Sequence, residues 1–112
     1  MKFDSSLEKK FASLLTSSGI KWTNQFKINN KRFDFYLPDF GILVEIDGNF
    51  IHSNEKLGFN VDSYFKKKIL KNDLLKNVIA EDSGFKLIRI WEEDLKSLNK
   101  NKLIKLLNEN KL

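Results

Sequence analysis

A chain of 112 residues with 41% hydrophobic and 31% charged side chains can bury one core and is too apolar to stay disordered. It has no cysteine, which excludes disulfides, thiolate zinc sites and thiol catalysis. Its net charge of +5, almost all from lysine with Arg32 and Arg89 the only arginines, favours a polyanion held by its backbone more than by its bases.

In chain order, Leu7, Phe11, Leu14 and Leu15 recur at helical spacing and predict a helix over 5–18, stopped by Gly19. Strands are expected over 22–28 and 31–37, joined by the tight turn Asn29-Asn30, and a third over 42–47. A polar loop over 48–60 carries His52, the only histidine. A long helix follows over 62–82, closed by Gly84. The nearly continuous apolar run Phe85-Lys86-Leu87-Ile88-Arg89-Ile90-Trp91 reads as a strand covered on both faces. Helical segments at 93–98 and 102–110 end the chain, with a break around Asn99-Lys100-Asn101. The pattern predicts a single α/β domain over 1–112, a mixed four-stranded sheet between helices in the order α-β-β-β-α-β-α. If strands three and four are parallel, their helical crossover should be right-handed. No apolar run nears the about 20 residues a bilayer span requires, and the N-terminus lacks the apolar core of a signal peptide. A soluble, cytoplasmic protein is therefore expected.

The carboxylates inside the strands carry the chemistry. With the hairpin turning at Pro38-Asp39-Phe40-Gly41, alternation puts Arg32, Asp34 and Tyr36 on one face, and Leu43, Glu45 and Asp47 on one face of the return strand. Asp34 then lies across from Glu45. Like charges directly opposite destabilise a sheet, and a divalent cation between them reverses that sign. Asp34 and Glu45 are hard oxygen donors suited to Mg²⁺, with Mn²⁺ as a substitute, and Asp47 is either a further ligand or a polar strand end. His52 has the ordinary pKa of a proton carrier at neutral pH, and Asp73 would orient it or hold a metal-bound water. Asp73 falls near the centre of the long helix's apolar stripe, where pairing with Lys76 is the plainer explanation. Glu8 either joins the site or completes the capping box Ser5-Ser6-Leu7-Glu8. Zinc lacks a second histidine or any cysteine, and no Gly-x-Ser-x-Gly elbow is present.

Asp34…Glu45-Ile46-Asp47 resembles the PD-(D/E)XK nuclease signature, with Asp47 where its lysine usually stands and Pro38 after the acid instead of before it. Asp47-Gly48-Asn49-Phe50-Ile51-His52 resembles the Asp-Gly-x-Phe-Trp-His segment of very-short-patch-repair endonucleases, and Asn72-Asp73-Leu74-Leu75-Lys76 and 84–92 resemble that family's helix and final strand. Glu8, Asp34, His52 and Asp73 follow the Glu…Asp…x…His…Asp order of phage-type homing endonucleases. The resemblance implies a Mg²⁺-dependent DNA endonuclease, with His52 taking over the proton transfer and an origin in a phage or mobile element.

It also implies that Phe50 and Ile51 wedge between base pairs, the alternative being a loop anchor on the core. Gln25 would border the site or be a solvent-facing amide. Lys66, Lys67, Lys68 and Lys71 would line a phosphate path or form a solvated helix face. A junction- or RNA-directed nuclease of the same fold and a non-catalytic nucleic-acid-binding module are the competing readings. Specificity would come from a homodimer, a separate DNA-targeting domain, or DNA shape.

Overall fold

A computed structural model describes residues 6–47 and 63–112, with side chains described for all but 63–66 and 69. His52, Phe50 and Ile51 thus lie outside the described residues, and so does the side chain of Lys66.

The order is α1 (Ser6–Ser17), β1 (Thr23–Ile28), β2 (Lys31–Leu37), β3 (Ile42–Asp47), α2 (Ser63–Asp82), β4 (Lys86–Trp91), α3 (Glu92–Ser97) and α4 (Lys100–Asn110). The strands form one sheet in the order β1-β2-β3-β4. The first three are an antiparallel meander, and β3 and β4 are parallel, joined through α2. The predicted α/β sandwich is the observed one.

Local chemistry explains the element ends. α1 and α2 both stop in the doubly bonded glycine cap that closes many helices. Gly19 N–H donates to Thr16 O and Ile20 N–H to Leu15 O, while Gly84 N–H donates to Glu81 O and Phe85 N–H to Ala80 O. Gly19 and Gly84 take φ of +73° and +84°, a region open to glycine. The last helix starts earlier than its expected position at 102. Asn99 Oδ1 accepts from Lys102 N–H at 2.9 Å, so the asparagine caps the helix instead of breaking it.

The sheet separates two apolar clusters. On one face Phe35, Leu37, Ile42, Val44, Ile88 and Ile90 pack with Phe11, Ala12 and Leu15 of α1, Leu95 of α3, and Leu103 and Leu107 of α4. Phe35 takes edge-on contacts from Phe11 and Trp22, at centroid distances of 5.2 and 5.5 Å. On the other face Phe33, Leu43 and Ala80 are buried, with Phe26, Tyr36, Ile79, Phe85 and Leu87 around them.

One strand breaks its own alternation. Phe33 and Tyr36 belong to the α2 side, whereas Phe35 and Leu37 belong to the α1 side. Residues three apart cannot share a face of a regular strand, so β2 slips its pleat at Asp34. The expected shared face of Arg32, Asp34 and Tyr36 is corrected accordingly. The adjacent β1 carries the matching distortion. Gln25, between the pairs Asn24↔Phe35 and Phe26↔Phe33, sits at φ +53°. For a residue with a Cβ, such a conformation costs about 1–3 kcal/mol, and it persists only where the surroundings impose it.

Candidate active site

The Pro38–Gly41 turn sets the register that positions the carboxylates. Leu37 O accepts from both Phe40 and Gly41 N–H, Gly41 takes φ +66°, and Leu37↔Ile42 closes the hairpin. The ladder then runs Tyr36↔Leu43 and Phe35↔Val44. One step on, side chains replace it. Asp34 N–H donates to Glu45 Oε2 at 2.9 Å, and Ile46 N–H donates to Asp34 Oδ2 at 2.7 Å. Each carboxylate satisfies a backbone donor on the other strand, so two acids sit face to face in a gap of the sheet.

Two charged side chains meet this pair. Lys76, reaching in from α2, donates through Nζ to Glu45 Oε1. Its ammonium also lies 5.4 Å from the centre of the Phe33 ring, a cation–π contact. From the other side come Glu8 and Gln25. Glu8 is buried at 7% exposure, and its Oε1 accepts from Gln25 Nε2 at 2.9 Å. The distortion at Gln25 thus lies beside the slip at Asp34, and both border one site. A capping role for Glu8 falls partly on Ser5, outside the described residues.

The electrostatics follow from this crowding. Asp34 has its pKa pushed up to about 7, chiefly by burial and then by the Glu45 charge. The Ile46 N–H bond pulls it down, Glu8 raises it, and Lys76 lowers it. A carboxyl held near neutrality is a group poised to bind a cation or exchange a proton.

A second cluster lies further along the same face of the sheet. Arg89 of β4 points its Nη1 at Asp47 Oδ2 (3.7 Å) and Asp73 Oδ1 (3.4 Å), while its Nη2 donates to Asp73 O (3.2 Å) and Asn77 Oδ1 (3.4 Å). Asp47 has its pKa raised, first by burial, against the lowering effect of Arg89. Asp47 therefore sits with Arg89 and Asp73, while Asp34 pairs with Glu45.

The expected Asp73–Lys76 pairing is corrected: Asp73 takes Arg89, and Lys76 takes Glu45. Asp73 also does not lie at the centre of a buried stripe, because Leu70 and Leu74 point outward and are exposed. Lys67, Lys68 and Lys71 are exposed on α2.

Lys76 and Arg89 are the site residues that sequence reasoning did not place there. The available signal for Arg89 was a guanidinium between Ile88 and Ile90 of a strand covered on both faces, a position that demands an acidic partner. For Lys76 no local signal existed, because its partner is 31 residues away.

Among the described residues, no three histidine, cysteine or acidic side chains converge as a metal-holding group. Two carboxylates do meet. Mg²⁺ commonly takes only one or two from the protein and fills the rest with water and phosphate oxygen, so the Asp34–Glu45 donor set fits it. No helix among the described residues is long and apolar enough to cross a membrane.

No family model and no curated protein matches the chain. Among solved structures, the fold is similar to the catalytic domain of homing endonuclease I-Bth0305I, with a TM-score of 0.58 and 17% sequence identity. The alignment covers 95% of this chain and 90% of that one, so the likeness spans the sandwich from end to end.

Proposed function

We propose that the protein is a Mg²⁺-dependent endonuclease that hydrolyses DNA phosphodiester bonds, similar to very-short-patch-repair and phage-type homing endonucleases of the PD-(D/E)XK superfamily. The observation that carries this reading is the face-to-face pair Asp34 and Glu45 in the gap between β2 and β3. Lys76 answers Glu45, but burying Asp34 beside that carboxylate stays unfavourable unless a further cation or a proton joins the pair. The likeness in fold to a homing endonuclease catalytic domain supports the same class.

Asp34 and Glu45 would hold the ion, which when bound supplies charge neutralisation at the phosphate. Lys76 Nζ balances Glu45 and offers a positive charge on the same face. Gln25 fixes Glu8 by its amide, and Glu8 in turn adds negative charge beside Asp34. Arg89 gathers Asp47 and Asp73 and keeps both carboxylates oriented. His52 is assigned the proton transfer to or from water on its residue chemistry. Phe50 and Ile51 are assigned to contact with the bases, and Lys66, Lys68 and Lys71 to the phosphate backbone.

The test is cleavage of supercoiled plasmid with Mg²⁺, with EDTA and Asp34→Ala as controls. Cleavage is expected with the ion and lost in both controls, and His52→Ala should lose turnover while keeping the far-UV spectrum. Cleavage that persists in EDTA and in Asp34→Ala would refute this site. Failure on duplex, branched and single-stranded substrates alike would favour a non-catalytic binding module.

A further inference from the structure

Among the described residues, the long helix α2 has two apolar faces, and the sheet covers one. Ile79 and Ala80 turn inward to the sheet, as does Lys76. On the opposite side Leu70, Leu74 and Val78 are 61%, 64% and 53% exposed, with Leu75 beside them at 44%. Spacing of four residues places Leu70, Leu74 and Val78 in one stripe along the helix. Large apolar side chains gathered in one exposed stripe mark a contact surface more often than scattered ones do.

The stripe is symmetric about its own centre. Four residues before Leu74 is Leu70, and four after is Val78. Seven before is Lys67, and seven after is Glu81. At 100° per residue, Lys67 and Glu81 both return to within about 20° of the Leu74 direction. Three before and three after are Lys71 and Asn77, which flank the stripe. Lys67 and Glu81 are both exposed. The N-terminal part of this face is therefore basic, its end acidic, and its middle apolar.

We propose that this face joins two copies of the chain through antiparallel α2 helices, with the two-fold axis at Leu74. In an isologous contact a residue n positions before the axis meets the residue n positions after it on the partner. Leu74 then meets its own copy, each Leu70 meets a Val78, and each Lys67 meets a Glu81. A parallel pairing would instead set lysine against lysine. Antiparallel helix dipoles add in the same sense. A phosphate backbone would suit the lysines but not the leucines or Glu81, so a second copy fits the whole face better than nucleic acid does. One helix face is smaller than a standard interface, so association is expected at micromolar concentrations. This inference does not depend on the proposed enzymatic activity.

The chain contains no cysteine, so single thiols report the register. Helices packed about 8–10 Å apart bring residues on the two-fold axis within disulfide range. Under mild oxidation, full-length Leu74→Cys should form a covalent dimer. Leu70→Cys alone should not, but Leu70→Cys combined with Val78→Cys should. In sedimentation without nucleic acid, the unmodified chain should shift from monomer to dimer with concentration, and Leu74→Glu should stay monomeric with an unchanged far-UV spectrum. Lys67→Glu should weaken association about tenfold, since the axis doubles each lost pair. Adding Glu81→Lys should restore it. A chain that is monomeric throughout, associates only with DNA or another protein present, is unaffected by Leu74→Glu, or cross-links as readily through Leu70→Cys alone would overturn the proposal.

Discussion

The two faces of the sheet are built on different terms. The α1 side packs Phe11, Leu15, Phe35, Leu37, Val44, Leu103 and Leu107, and the one charged group among the described buried residues of α1 is Glu8, held by Gln25. The α2 side has fewer buried apolar residues among those described, and it carries Glu45, Asp47, Arg89, Asp73 and Lys76. Stability and chemistry are thus divided between the faces. The apolar face supplies hydrophobic stabilisation in proportion to buried area, while the charged face consumes some of it in desolvation.

The largest break in this contrast should come from the apolar face. Leu103→Ala removes a fully buried side chain from the α1-side cluster, across the sheet from Lys76, and should cost about 2–5 kcal/mol of unfolding free energy, measured in urea. Its cleavage rate, taken where the variant is still folded, should match the parent. A lost rate with retained fold would mean that the two faces are coupled.

Asp34→Asn should do the reverse. Asp34 is raised from 3.8 to about 7 in the folded protein, so the native state holds its proton more tightly than the unfolded chain does. The stability due to that proton is complete below about pH 4 and is lost as pH rises through about 7. The parent should therefore lose stability across that window, and Asp34→Asn should flatten the loss. At pH 8 the variant should be more stable by about 2–4 kcal/mol while its cleavage is abolished. A parallel pH profile for both proteins would show that burial of this carboxylate is not the cause.

The smallest effect is expected at Gln25. Gln25→Gly relieves the positive φ but gives up the amide bond to Glu8, so stability should change by no more than about 1 kcal/mol. A fall in cleavage without a fall in stability would identify the glutamine as a positioning residue for Glu8. Equal losses of both would make it merely structural.

The division between faces also explains what was readable. Helix ends at Gly19 and Gly84, the hairpin at Asn29-Asn30 and the turn at Pro38–Gly41 rest on local rules, and each appears where expected. The opposition of Asp34 and Glu45 was legible too, because a short turn fixes the register of its hairpin. The slip of β2 at Asp34 was not, because it depends on Phe33 and Phe35 choosing different clusters. Nor was the choice of partners. Lys76 lies three residues from Asp73 on the same helix, yet the buried Glu45 needs a positive charge more than the half-exposed Asp73 does, and it takes Lys76.

The sequence by itself determined the order of elements, their ends and the facing acids, all consequences of backbone sterics and strand or helix period acting over a few residues. Only the tertiary structure decided which cation meets which carboxylate, and which apolar face of α2 turns inward. Those outcomes depend on desolvation, and how deeply a charge is buried is known only once the sheet and the helix have packed.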